Sequence, residues 1–225
     1  MSAQWAKDFD NLIVLDTETT GIDCRGDEII ELAALRQPLS SCGAKADEFD
    51  LLIRLSDGRS LPQEITALTG ITPEMLRREG VEKAAAARRF ADMLRCSRPL
   101  VVAYNAQFDL CFLFYFLQRC GCAEVLKGVK MLDAMTVYKD RRPYPHRLCN
   151  AIEAYGLSGE NTHRAIDDAR ATVELLEAMQ AEAPDLDRYI NLFGYNPKYG
   201  VSGPRISSVR YLPQGYDRKK KLYED

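Results

Sequence analysis

The chain has no apolar run long enough to cross a bilayer. It has no basic excess either: 30 Lys and Arg against 33 Asp and Glu leave a net charge of −3, which argues against a protein that coats a duplex by charge alone. The first residues, MSAQWAKDFDN, lack a basic region followed by an apolar stretch and a small-residue cleavage site, so a secretory signal is not expected. The seven cysteines (Cys24, Cys42, Cys96, Cys111, Cys120, Cys122 and Cys149) contain no C-x-x-C pair, and their number is odd. The closest spacing, Cys120-Gly121-Cys122, has no second half, so a zinc site is disfavoured and reduced thiols in a cytoplasmic protein are expected. Repeats and low-complexity tracts are missing too. Histidine is scarce, with two in 225 residues, so each one needs a reason.

What is present is ordinary for a globular protein: 46% apolar and 28% charged residues, and enough chain for one buried core. Apolar stretches over residues 11–16, 27–36 and 49–55 read as three strands, and the glycines between them suit antiparallel pairing. Short helices are expected over 63–69 and after Thr72-Pro73, then a longer one over 81–96. A short apolar strand over 100–104 leads into a helix over 106–120, with Asn105 as its expected N-cap. A last strand over 129–132 and helices over 147–155 and 165–181 complete a mixed sheet with helices packed on it. The composition divides the chain into a domain over 1–190 and a Tyr/Pro/Gly-rich tail over 191–225 that ends near Lys219-Lys220-Lys221. The tail is expected either to fold back as a hairpin through 206–211 or to dock a partner.

The stretch VLDTETTGID runs an apolar strand into Asp16 and Glu18. Side chains alternate along a strand, so the two acids share one side and Thr17 takes the other. Neighbouring carboxylates repel unless a cation lies between them, although a wet strand end explains this stretch equally well. In YNAQFDL, Asp109 falls in the first turn of a helix that follows a strand. An acid there suits the helix dipole, yet the carboxyl edge of an α/β sheet is also where ligands collect. In THRAIDDARATVELLEAM the apolar stripe places Asp168 at its edge, able to reach the sheet, and Asp167 nearly opposite. His163 enters the same helix. Four carboxylates and one histidine from three separated segments suit two hard cations, Mg²⁺ or Mn²⁺, with the imidazole as general base in phosphodiester hydrolysis.

The order DTETTG, then Asn-x-x-Phe-Asp, then His-x-x-x-x-Asp resembles the three exonuclease motifs of the DnaQ-like DEDDh 3′–5′ exonucleases, over residues 11–181. This family includes the proofreading subunit and domains of bacterial replicative polymerases. The segment ITALTGITPEML resembles the family's stretch between the first two motifs. The resemblance implies an α/β, ribonuclease H-like fold, a mixed five-stranded sheet flanked by helices. It assigns Asp16, Glu18, Asp109 and Asp168 to two metal ions, with Asp16 bridging both, and His163 to the base. It also implies that the backbone at Thr17 and Thr19 receives the 3′-terminal nucleotide, that Leu68 and Phe108 meet its base, and that Asn105 bonds to substrate. For Leu68 and Phe108 plain core packing explains the residues as well.

The expected function is therefore metal-dependent release of nucleoside monophosphates from 3′ ends of single-stranded DNA, with a DNA polymerase or a helicase as candidate partner and no membrane. An exoribonuclease of the same fold is the near rival, since the motifs do not display how the 2′-hydroxyl is treated. A nucleic-acid-binding module without catalysis is disfavoured, because all five positions are filled. Lys139, Arg141, Arg142, His146 and Arg147 are candidates for phosphate contacts or, equally, a solvated loop.

Overall fold

The computed structural model describes residues 7–39, 46–159, 161–216 and 220–225; Cys42, Lys219 and the first six residues lie outside them. Five strands form the main sheet: β1 (Asn11–Thr19), β2 (Ile29–Pro38), β3 (Asp47–Leu52), β4 (Pro99–Ala103) and β5 (Lys130–Asp133). Their order is β3-β2-β1-β4-β5. The first three pair antiparallel, while β4 runs parallel to β1 and β5 parallel to β4. This is the mixed five-stranded sheet the sequence predicts.

The central strand β1 is apolar on both sides because both sides are covered. Ile13 and Leu15 join Phe90 of α3 (Lys83–Leu94) and Phe112 and Leu113 of α4 (Ala106–Arg119) in one core. Leu12 and Val14 face the other way, into a core with Ala169, Leu176 and Met179 of α7 (Ala165–Glu182). Helices α1 (Gln63–Thr69), α2 (Pro73–Arg78), α5 (Ala134–Lys139) and α6 (Leu148–Tyr155) complete the set. No helix among the described residues is long and apolar enough to cross a membrane.

Three features differ from the sequence reading. β1 does not end at Asp16 but continues to Thr19, because β2 keeps pairing with it: Glu18 lies opposite Glu31 and Thr19 opposite Ile29, with an irregularity between Glu18 and Thr19. Residues 134–139 form a helix that was not expected, started by the Asp133 side chain, which accepts the Met135 N–H. The tail makes no hairpin through 206–211. Its strands β6 (Leu192–Tyr195) and β7 (Arg210–Pro213) pair parallel, which requires the long return between them. The tail packs on the rest of the chain, with Phe193 and Leu222 fully buried.

Candidate active site

The pairing of β1 with β4 stops at Val14 and Val102, so residues 16–19 run past the parallel half of the sheet while β2 still supports them. That overhang carries Asp16 and Glu18 on the side of the sheet covered by α7. Asp168, in the first turn of α7, is buried, whereas the Asp167 side chain is 40% exposed and accepts a hydrogen bond from Thr162 Oγ1 at 2.8 Å. Glu18, His163 and Asp168 each offer a ligand atom within 4.8 Å of the others.

Asp109 approaches from the opposite side, on α4, and is buried. Thr17 Oγ1 donates to Asp109 Oδ1 at 2.7 Å. Thr17 does point away from Asp16 and Glu18, as alternation requires, but it is not idle: its hydroxyl fixes the carboxylate that comes from α4. Asn105 does not cap α4 with its side chain. Its backbone is left-handed, φ 67°, and its side chain is exposed. Asp133, at the end of β5, takes over by accepting the Ala106 N–H on Oδ1 at 3.0 Å, while its Oδ2 accepts from Thr136 Oγ1 at 2.6 Å. Asn105 itself stays exposed, two residues past the end of β4.

The N-terminus of α7 is held in a way the sequence did not show. Glu31, fully buried on β2, accepts from Arg164 Nε at 2.8 Å and Nη2 at 2.5 Å through Oε1, and from the Ala165 N–H at 2.8 Å through Oε2. A carboxylate from a neighbouring strand thus does the work of an N-cap, favoured by the helix dipole. The residue just before this clamp is His163, with a left-handed backbone at φ 57°. Asn161 donates to Asp168 Oδ2. Glu31, Asp133 and Asn161 carry no motif. Glu31 had one readable sign, an acid inside an otherwise apolar strand, IIELAAL, whose neighbours all face a core.

The carboxylates are crowded without a counter-charge close enough to settle them. Burial pushes Asp16 well above the usual carboxylate range, and Asp109, Asp168, Glu18 and Glu31 push it further. Burial also pushes Glu18 up to about 8, with Asp168, Glu31 and Asp109 adding to it and Arg164 opposing. Asp109 is pushed up to about 7 by burial, against the pull of the Thr17 hydroxyl. Burial raises Asp168 as well, offset by Asn161 and His163. Asp168 Oδ1 is buried with no hydrogen-bond partner. A buried residue with an unpartnered carboxylate oxygen, grouped with a second carboxylate and an imidazole, is a donor set that fits a hard divalent cation.

Among the other residues singled out, Leu68 is 51% exposed, so core packing does not account for it. Phe108 is half-buried against Phe112, ring centroids 4.8 Å apart. Thr19 is buried, and its Oγ1 donates to Gly21 O at 2.6 Å. Arg141 and Arg142 are not a solvated, phosphate-facing pair. Arg141 is buried between Glu182 and Asp185, and Arg142 pairs with Glu182 at 2.7 Å and lies over the Tyr155 ring.

Several known proteins are similar to this chain. The chain is 33% identical over 171 residues to a DNA polymerase III PolC-type protein of Thermotoga petrophila, a match that covers 74% of this chain and 12% of that protein. It is 33% identical over 169 residues to DNA polymerase III subunit epsilon of Treponema pallidum, covering 74% of each. The fold matches E. coli Exonuclease I, solved in complex with a dA16 oligonucleotide, at a TM-score of 0.70 with 20% identity, over 80% of this chain and 42% of that one. The chain thus spans a small part of the PolC-type relatives and under half of Exonuclease I. Residues 13–176 match the family described as Exonuclease, and with the resemblance to the epsilon subunit this places the chain in the DnaQ-like exonuclease family.

Proposed function

We propose that this protein is a 3′–5′ exonuclease that releases nucleoside monophosphates from the ends of single-stranded DNA. The observation that carries the reading is the orphaned Asp168 Oδ1 beside Glu18 and His163, in a pocket of carboxylates that repel one another. Asp16, Glu18, Asp109 and Asp168 would hold two divalent ions, Mg²⁺ or Mn²⁺. When bound, such ions neutralise the scissile phosphate and make water a better nucleophile.

The chain's own groups supply the rest. Thr17 keeps Asp109 turned toward the site, and Asn161 does the same for Asp168. The His163 imidazole takes the proton of the water that attacks in line with the departing 3′-oxygen. Its place just before α7, with Arg164 clamped to Glu31, holds the ring near Asp168. The exposed Leu68 and the half-buried Phe108 receive the terminal base, and Asn105 meets the sugar-phosphate. A modest net charge is no obstacle, because few phosphates need be held at one strand end.

The relatives named as polymerase III proteins make a replicative polymerase the partner class we propose. Digestion of end-labelled single-stranded DNA and RNA in Mg²⁺, Mn²⁺ or EDTA tests the function, with the products sized. Mononucleotides released from DNA 3′ ends in either metal are the expected result. Cleavage that persists in EDTA, or a preference for RNA, would overturn the metal or the substrate part respectively. His163→Ala should lower the single-turnover rate about 10²- to 10⁴-fold while strand affinity stays near normal. Lost affinity with an unchanged rate would make the histidine a substrate contact.

A further inference from the structure

Two exposed tyrosines from distant parts of the chain meet beside the carboxyl edge of the sheet. Tyr144 follows α5 and is 67% exposed; Tyr216 lies in the tail and is 53% exposed. Their ring centroids are 5.3 Å apart, at 62°. Between them and the protein lies His146, whose ring stacks on Tyr216 at 5.6 Å and 19°. His146 is itself edge-on to Tyr144 at 5.9 Å and to Tyr138 at 5.6 Å. The imidazole is 7% exposed, its Nε2 paired with Arg142 O at 2.9 Å and its Nδ1 without any partner.

Two large aromatic rings held side by side in water offer stacking faces to a planar ligand. The chain spends specific bonds to hold them there. Tyr104, the residue just after β4 and just before Asn105, donates its hydroxyl to His146 O at 2.9 Å, which ties the Tyr144 loop to the edge that carries the site. Asn196 Nδ2 donates to the Tyr216 hydroxyl at 3.1 Å, and Gln214, two residues before Tyr216, donates to Thr136 O at 2.9 Å and Asp140 Oδ1 at 2.8 Å. Two cations lie beside the cluster: Lys139 is near enough to His146 to oppose its protonation, and Arg147, the next residue, is exposed. Aromatic faces with cations beside them, tied through Tyr104 to the strand end that precedes Asn105, match unpaired nucleobases and their phosphates.

We propose that Tyr144, His146 and Tyr216 form a stacking platform for the bases of the single strand that leads into the site, with Lys139 and Arg147 facing its phosphates. His146 backs the platform from inside; Tyr144 and Tyr216 offer it to the strand. The tail thereby joins the substrate surface. The inference rests on the exonuclease reading given above, but it is tested separately.

Tyr144→Ala and Tyr216→Ala, singly and together, are compared with Tyr144→Trp and Tyr216→Trp for hydrolysis of a long single strand and of a dinucleotide, which is too short to reach the platform. Binding of the long strand is measured in EDTA by fluorescence anisotropy. The alanine variants should raise KM and weaken binding of the long strand about tenfold, leave kcat and the dinucleotide reaction unchanged, and keep the melting temperature of the parent. The tryptophan variants should restore binding. An unchanged KM and affinity for the long strand, or an equal loss on the dinucleotide, would overturn the platform. Should the parent protein hydrolyse neither substrate, the exonuclease reading fails by itself, and the anisotropy comparison still decides whether these rings hold a strand.

Discussion

Among the described residues, two of the acidic clusters are built on opposite terms. One surrounds Arg141, whose side chain is 2% exposed and bonds to Glu182, Asp185 and the carbonyls of Met179 and Ala183. Burial alone would raise Glu182, yet hydrogen bonds from Tyr155 and Arg142 and the charge of both arginines hold it below the usual range. Nearby, Asp140 accepts from Tyr189, Gln214 and the Leu222 N–H, which fastens the tail. Each acid there has its partner. The other cluster, Asp16, Glu18, Asp109 and Asp168, has four acids and few donors, and one oxygen with none. Burial of polar groups is common to both clusters. Satisfaction of the carboxylates separates them, since the unpartnered buried atom of the first cluster is Arg141 Nε and not an acid, and the cluster whose acids lack donors is the functional candidate.

The sharpest way to break that contrast is to remove one acid from each helix face. Asp168→Ala should abolish turnover, by about 10³-fold or more, without lowering the melting temperature in EDTA, since it relieves repulsion. Asp167→Ala, on the exposed side, should leave turnover largely intact. Comparable losses in a nuclease assay would show that the two positions share the site.

A smaller effect is expected at Glu31, which belongs to neither cluster but holds the helix that carries Asp168 and follows His163. Glu31→Gln keeps the shape and weakens the bonds to Arg164, so kcat should fall roughly 10- to 100-fold, with the strand affinity retained. Single-turnover and equilibrium binding measurements separate the two; an unchanged kcat would reduce Glu31 to a purely structural acid.

In the satisfied cluster the expected loss is one of stability. Arg141→Met leaves Glu182 and Asp185 without their shared partner and should cost about 3 kcal/mol. Turnover per folded molecule should stay near that of the parent. Chemical denaturation checks the first part and active-site titration the second; a stable but inactive variant would contradict the division drawn here.

The last prediction concerns pH and is the mildest. Glu18 is raised from an ordinary 4.5 to about 8, and Asp109 from 3.8 to about 7. A group whose pKa is higher folded than unfolded contributes fully below its unfolded value and loses that contribution as pH rises through the folded one. The metal-free protein should therefore lose several degrees of melting temperature between about pH 5 and pH 8, and Mn²⁺ should restore most of it at the upper end. Glu18→Gln should flatten the metal-free profile. A melting temperature that rises over this range in EDTA would run against the crowding described above.

The sequence by itself determined the five strands, the antiparallel pairing of the first three, the helix that follows β4, and the candidate acids and histidine at the edge of the sheet. Those are local matters. Strand alternation sets which side Asp16 and Glu18 share, and helical periodicity sets that Asp168, not Asp167, turns inward. Only the tertiary structure decided what holds them. Glu31 caps a helix 134 residues away, Asp133 replaces the expected Asn105 cap, Thr17 reaches across to Asp109, and Tyr216 of the tail stacks on His146. A hydrogen bond between distant segments leaves no period in either of them, because its geometry comes from the packing of the elements and not from the residues beside it.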